Sequence, residues 1–181
     1  MIMKAVKNYA VKLYDKDDFI HGWPHILTTR KNALRLWKIL GGNKEIIEIA
    51  TYLHDCDYSK GIEVHAERSA EKARKFLNFI KYPKTKQVVE AILNHNISSH
   101  KSNASLEAKI LFDADKIETI KPSGILRVII YQRNLPYKGI MKKLHYFCTD
   151  SYKELYFNET RKMIKSEYEK TKKIVSWLEL F

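Results

Sequence analysis

The sequence has 181 residues, a length that suits one domain and argues against two separate hydrophobic cores. Hydrophobic residues make up 45% and charged residues 30%, with six Gly and four Pro, which excludes collagen-like and wholly disordered chains. The net charge of +12 favours anionic partners, namely phosphates, nucleotides, nucleic acid or an anionic membrane surface.

The two cysteines, Cys56 and Cys148, are too few for a disulfide scaffold and are compatible with a reducing compartment. No apolar run reaches the roughly 18 residues of a membrane span, and the N-terminus lacks the apolar stretch of a secretory signal. We therefore expect a soluble, cytoplasmic protein without a membrane partner, present as a monomer or a homodimer.

Apolar residues recur at helical spacing along most of the chain, whereas strand-like alternation is hard to find. Three clear stripes are Ala33/Leu36/Trp37/Leu40, Ile46/Ile49/Ala50/Leu53 and Ala66/Ala70/Ala73/Leu77. Helix breaks are indicated at Pro24, Gly41 to Asn43, Pro83, Pro122 and Pro136. The pattern predicts an all-α fold of roughly eight or nine helices, forming a single domain over residues 1–181.

Several of these helices carry a polar residue on their apolar face. His25 shares the face of Ala33 and Leu36, and Asp115 follows the Ala108/Leu111 stripe. His95 extends another stripe in the same way. A buried, unpaired carboxylate or imidazole is unfavourable by several kcal/mol, so we expect each of these groups to have a partner.

His54 and Asp55 directly follow the Ile46/Ile49/Ala50/Leu53 stripe, and His65 opens the next helix. Together with the preceding residues, they place imidazoles and carboxylates on helices that share one core. Nitrogen and oxygen donors without thiolates suit Mn²⁺, Fe²⁺, Co²⁺, Ni²⁺ or Zn²⁺ better than Ca²⁺. We therefore predict a site for a divalent cation, with coordination positions open for water and substrate.

The order His25, His54-Asp55, Asp115 resembles the HD-domain metal-dependent phosphohydrolases. Four further segments are similar to small bacterial and archaeal members of that family: His21–His25, His65–Ala70, His95 and Asp113–Glu118. The resemblance covers about residues 21–118, and the helices of residues 122–181 are expected to pack on this part.

The resemblance implies an HD-domain helical bundle in which His25, His54, Asp55 and Asp115 bind one divalent metal ion (Mn, Co, Ni, Fe, Zn or Mg). It also implies hydrolysis of a phosphomonoester or phosphoanhydride in a small phosphorylated molecule, with a nucleotide as the leading candidate. The chain departs from the family at Thr28, where relatives commonly have an Arg, so a phosphate contact from this position is in doubt.

Catalytic roles can be assigned to a few of these residues. We expect Asp55 to orient or deprotonate the attacking water. His65, His95 and Lys116 are candidates for stabilising the negative charge of the phosphate and for binding substrate. Glu118 is a candidate for binding a ligand or a sugar hydroxyl.

Two alternatives stay open. One is a basic nucleic-acid-binding protein with a structural or vestigial metal site, because the chain from Lys121 onward has 13 Lys and Arg against 6 Asp and Glu. The other is a di-iron oxygenase, in which His65 and His95 would hold a second metal. Polar loops at 57–63 and 98–105 are expected to rim the site, whereas His21, His100 and His145 are expected to be structural or on the surface.

Overall fold

Helix boundaries in the computed structural model, which describes residues 1–58, 64–96 and 103–180, follow the breaking and capping residues of the sequence. Pro24 lies in the first turn of its helix, which ends before Gly41, a residue with a φ of 79° that suits glycine. The side chains of Asn43 and Ser105 cap the helices that follow them, by accepting hydrogen bonds from the backbone of Ile46 and Ala108.

The described residues contain helices and no strand. The first six helices are α1 (Ile2–Ala10), α2 (Trp23–Leu40), α3 (Lys44–Leu53), α4 (His65–Phe79), α5 (Thr85–Asn94) and α6 (Leu106–Ile120). They are followed by α7 (Pro122–Tyr131), α8 (Tyr137–Leu144), a π-helical segment (His145–Asp150), α9 (Ser151–Glu154) and α10 (Asn158–Leu178). Because α8, the π-helical segment and α9 are contiguous, the described residues form nine continuous helical segments, and the prediction of an all-α fold of roughly eight or nine helices is confirmed.

The centre of the molecule is formed by α2, α3, α5 and α6, which pack on one another. The predicted stripes on α3 and α4 are fully buried there, whereas Trp37 and Leu40 at the end of α2 are only half-buried. A second apolar cluster joins α6 to α10 through Ile117 and Ile164. A third joins α7, α8 and α10 around Val128, Leu144 and Val175. Helices after Pro122 thus pack on the earlier part of the chain; the single domain over residues 1–181 stays a prediction.

No helix in the described ranges combines the length and the apolar character that crossing a bilayer requires. The predicted loops at 57–63 and 98–105 fall largely outside the described residues, and His100 lies outside them too.

Candidate active site and metal centre

A cavity of about 300 Å³ opens between the central helices and the helices that follow Pro122. Imidazoles and carboxylates line it: His25, Asp55, His65, His95 and Asp115. Aromatic rings line it as well: Tyr58, Tyr131, Tyr146 and Phe147. The cavity therefore combines titratable groups with aromatic surface.

The four residues predicted to bind a metal lie close together: His25, Asp55 and Asp115 line this cavity, and His54 is buried beside them. His25 lies in the first turn of α2, His54 and Asp55 directly follow α3, and Asp115 lies on α6. His25 Nε2 is 3.2 Å from Asp115 Oδ1 and 3.6 Å from Asp55 Oδ2. His54 Nε2 is 3.5 Å from Asp55 Oδ2 and 4.0 Å from Asp115 Oδ1. Such separations suit donor atoms that each lie about 2.0–2.2 Å from one shared ion.

Hydrogen bonds at the far side of three imidazoles fix which ring nitrogen faces the cluster. The acceptors at Nδ1 are Glu118 Oε2 at 3.0 Å for His25, Thr51 O at 2.9 Å for His54 and Ile92 O at 2.6 Å for His95. Since a backbone carbonyl can only accept, neutral His54 and His95 carry their proton on Nδ1 and turn an Nε2 lone pair inward.

Two buried polar atoms of the cluster lack a hydrogen-bond partner within the described part of the chain: His54 Nε2 and Asp55 Oδ1. Buried polar atoms almost always have partners, so these two atoms are exceptions that need an explanation. The neutral imidazole of His54 therefore turns a lone pair, and not a proton, toward the carboxylates. A cation would satisfy this lone pair and the carboxylates, and the nitrogen and oxygen donor set suits a divalent transition metal.

The pKa values of the cluster residues are shifted by burial and by hydrogen bonds to their charged neighbours. Burial alone would lower the pKa of His25, but its hydrogen bonds to Asp115 and Asp55 outweigh burial and raise that pKa well above its usual value. Burial would raise the pKa of Asp115, yet the hydrogen bond from His25 lowers it. Burial lowers the pKa of His54 to about 4, which keeps this imidazole neutral, as a metal ligand must be.

A second group of donors shares Asp55 with the first. His65 begins α4 and His95 follows α5, and their Nε2 atoms are 3.2 Å apart. Each of these atoms is 3.6 Å from Asp55 Oδ1, the oxygen that faces away from His25 and His54. Two sets of residues could thus hold a metal ion among the described residues: His25/His54/Asp55 and Asp55/His65/His95.

Lys116 and Glu118 occupy different positions relative to the cavity. Lys116 lines it, and its ammonium lies 5.4 Å from the ring centroid of Phe112. Glu118 lies behind His25, where it accepts hydrogen bonds from His25 Nδ1 and from Arg127.

Thr28 donates a hydrogen bond from its hydroxyl to the carbonyl of Pro24. The phosphate contact placed in doubt at position 28 therefore has no cationic side chain to make it.

Several cavity residues were not among the predicted site residues. His21, expected to be structural, stacks on Tyr58 with ring centroids 4.0 Å apart, and Tyr58 stacks on His65 at 4.6 Å. Arg127 reaches the cavity from α7. The position of His21, four residues before His25, could have indicated that it lies near the site. Nothing in the sequence distinguishes Arg127 from the other Lys and Arg residues, which number 33 in all. His145 is half-exposed and pairs with Glu179 at 2.6 Å.

A model of the HD domain family matches residues 22–120, which is more than half of the chain. The chain belongs to the HD domain family. The matched residues include all four predicted metal ligands, so the resemblance found in the sequence is confirmed. Comparison with curated proteins gives no match.

Solved structures share this HD fold. A Lactobacillus plantarum protein superposes with a TM-score of 0.82 at 16% sequence identity, covering 98% of this chain and 95% of its own. Bacillus subtilis YpgQ, crystallised in complex with ADP, gives a TM-score of 0.77 at 17% identity, covering 98% and 94%. A predicted HD superfamily hydrolase from an uncultured Thermotogales bacterium gives a TM-score of 0.69 at 23% identity, covering 98% and 91%. At these identities the likeness concerns the fold alone.

Proposed function

We propose that this HD-domain protein is a divalent-metal-dependent phosphohydrolase that acts on a small phosphorylated molecule, with a nucleotide as the first candidate. One observation carries the proposal: donor atoms of His25, His54, Asp55 and Asp115 converge beside a cavity, and His54 Nε2 and Asp55 Oδ1 have no hydrogen-bond partner among the described residues. An unpartnered cluster of this kind is unfavourable unless it binds a cation.

Different residues of the chain would have different roles in hydrolysis. A divalent ion at the cluster would lower the pKa of a coordinated water to near neutrality and so supply a nucleophile for phosphorus. Asp55 turns Oδ2 toward His25 and His54, and its other oxygen, Oδ1, has no hydrogen-bond partner among the described residues. This oxygen, which lies 3.6 Å from His65 Nε2 and from His95 Nε2, can orient the attacking water and accept its proton.

Negative charge on the phosphate would be stabilised from the cavity wall. His65, His95 and Lys116 all line the cavity, where protonated imidazoles and the lysine ammonium can donate hydrogen bonds to nonbridging oxygens. Of these, Lys116 brings a full positive charge from the residue next to a metal ligand. We assign these three residues to substrate binding and transition-state stabilisation.

The aromatic residues of the cavity support a nucleotide as substrate. Tyr131 on α7 and Tyr146 and Phe147 in the π-helical segment line the same cavity as the predicted metal ligands His25, Asp55 and Asp115. Base stacking on aromatic side chains is worth about 1–3 kcal/mol per base. YpgQ, which shares the fold, was crystallised with ADP. A nucleotide could therefore place its phosphates at the cluster and its base against these rings.

The second donor set favours one alternative. Asp55, His65 and His95 could hold another ion, with Asp55 as the bridge, which is the arrangement that a di-iron oxygenase would need. The nucleic-acid-binding alternative is supported only by the basic charge of the C-terminal third. Cytoplasmic location and a monomeric or homodimeric state stay predictions.

The proposal is tested by metal analysis followed by a phosphate-release screen. Purified protein would be stripped of metal and assayed on nucleoside mono-, di- and triphosphates and small phosphate esters, with Mn²⁺, Co²⁺, Ni²⁺ or Mg²⁺ added back. We expect activity that depends on the added metal and is lost in His54→Ala but kept in His145→Ala, the matched surface histidine. Two irons per chain with oxygen consumption, or no hydrolysis of any substrate, would contradict the proposal.

A further inference from the structure

The Nδ1 atom of His25, on the side of the ring away from the predicted metal-binding Nε2, has an unusual set of neighbours. It lies 3.0 Å from Glu118 Oε2, 3.1 Å from Arg127 Nη1 and 3.4 Å from Thr29 Oγ1. A guanidinium can only donate hydrogen bonds, whereas a carboxylate can only accept them. Two neighbours with opposite demands therefore compete for the same ring nitrogen.

The outcome of this competition decides whether His25 can bind a metal. With Glu118 as acceptor, the proton sits on Nδ1 and leaves a lone pair on Nε2. With Arg127 as donor, Nδ1 must carry the lone pair, and the proton moves to Nε2. There it would point at Asp115 Oδ1, only 3.2 Å away, and would block the ligand position.

Arg127 also holds Glu118 in place. The same oxygen of Glu118 accepts a hydrogen bond from Arg127, and the other end of the guanidinium donates to the carbonyl of Ile20. The side chains of Arg127 and Glu118 are only 8% and 13% exposed, so neither charge would be stable there alone. The contact links α7 and the segment before α2 to the back of a metal ligand on α2.

We propose that Glu118 and Arg127 form a positioning pair, in which Glu118 selects the metal-binding tautomer of His25 and Arg127 fixes Glu118. The inference rests on the proposed metal site but assigns Glu118 a different role from the substrate binding expected from sequence. Partners of this kind typically change metal affinity by about 10- to 100-fold when removed.

The first measurement is the tautomer of His25 in the metal-free protein. Long-range ¹H–¹⁵N correlation spectra would be recorded while the pH is raised until the ¹⁵N shifts show a neutral His25 ring, with the signals assigned by comparison with His25→Gln. We expect a protonated Nδ1 in the wild type and a protonated Nε2 in Glu118→Ala and Glu118→Met. The Met variant keeps the volume of the side chain, so the test survives if the Ala variant fails to fold. An unchanged tautomer in the folded variants would overturn the proposal.

The second measurement is zinc affinity, determined by competition with a chromogenic chelator. We expect Zn²⁺ to bind about 100-fold more weakly to Glu118→Met than to the wild type, and at most about 10-fold more weakly to Glu118→Gln, whose amide oxygen can still accept. The double variant Glu118→Met/Arg127→Met should regain part of the loss, because the competing donor is gone. Affinity within threefold of the wild type in Glu118→Met would contradict the proposal.

A second Glu–Arg pair, in which the Glu is largely buried and the Arg side chain is 34% exposed, provides the control. Glu48 on α3 accepts hydrogen bonds from Arg30, and its side chain is 10% exposed, but neither residue lines the metal cavity. Glu48→Met should leave the tautomer and the zinc affinity unchanged; an equal loss in this variant would overturn the proposal. Failure of the wild type to bind any metal would count against the proposed function, while the tautomer would still decide the role of Glu118.

Discussion

Asp113 and Asp115 lie two residues apart on α6 and face different parts of the molecule. Asp115 faces the imidazoles of His25 and His54. Asp113 is fully buried on the opposite side, where it accepts hydrogen bonds from the backbone of Tyr156 and Phe157 and from the hydroxyl of Thr160. One carboxylate therefore lies at the proposed metal centre, and the other binds the turn that leads into α10.

The surroundings of the two carboxyls shift their pKa values in opposite directions. Burial raises the pKa of Asp113 to about 6, because its three hydrogen bonds only partly offset the loss of water. The pKa of Asp115 is lowered, since the hydrogen bond from His25 outweighs burial. Identical residues in one short motif can therefore have different roles, one proposed in metal binding and one in stability. Substitutions can test this difference.

The largest expected effect is on metal binding by Asp115→Ala. This change removes a ligand from the cluster, so metal affinity and phosphate release should both fall more than 100-fold, beyond the usual effect of an outer partner. Thermal unfolding of the metal-free protein should change little, because the side chain is already 24% exposed. Full metal content and activity in this variant, measured by elemental analysis and phosphate release, would remove Asp115 from the ligand set.

Asp113→Ala should show the reverse pattern. Two buried backbone N–H groups would lose their acceptor, at roughly 1–3 kcal/mol each, so we expect the free energy of unfolding to fall by about 3 kcal/mol. Folded Asp113→Ala should keep the metal stoichiometry of the wild type. Denaturant titration measures the loss, and Thr160→Val, which removes one of the three hydrogen bonds, should show about a third of it. Normal stability with lost metal would reverse the assigned roles.

A smaller effect is expected at the aromatic residues that line the cavity, Tyr131, Tyr146 and Phe147. Phe147→Ala should raise the KM for a nucleotide substrate about tenfold, which corresponds to about 1.4 kcal/mol of lost stacking. The KM for an aliphatic phosphate ester should not change, since that substrate has no base. Phe79→Ala is the matched control, because Phe79 is exposed at the end of α4. Equal changes for both substrates would argue against a base-stacking wall.

The smallest effect should come from the basic residues of α10. Lys170, Lys172 and Lys173 are exposed in a helix whose buried face packs on α6 and α7. Replacing all three by Ser should change phosphate release less than twofold. Retention on a cation-exchange column should fall, because the protein loses three positive charges. A large loss of salt-sensitive RNA binding together with no measurable hydrolysis by the wild type would favour the nucleic-acid-binding alternative instead.

Sequence periodicity predicted the helices well because each buried stripe repeats along a regular rod. The same logic placed His25, His95 and Asp115 toward the core, and the family's motif order joined them to His54 and Asp55. These residues carry their signal locally, as a polar group on an apolar face or as a short motif.

The rest of the site depends on contacts between distant parts of the chain. Arg127 lies 102 residues after His25 and resembles any other basic residue until α7 packs beside α6. Nor could spacing alone reveal that Glu118 faces the back of His25, because a helix carboxylate three residues after a ligand can equally face solvent. Tyr146 and Phe147 reach the cavity through a π-helical segment, whose altered pitch is not predicted by a 3.6-residue period.

The most direct test is to crystallise the protein with Mn²⁺ and to locate the metal by anomalous scattering. We predict a peak within coordination distance of His25, His54, Asp55 and Asp115, and its loss in crystals of Asp115→Ala. A peak held by other residues alone, or a cluster that stays without metal at saturating Mn²⁺, would contradict the proposal that these four side chains form the metal centre.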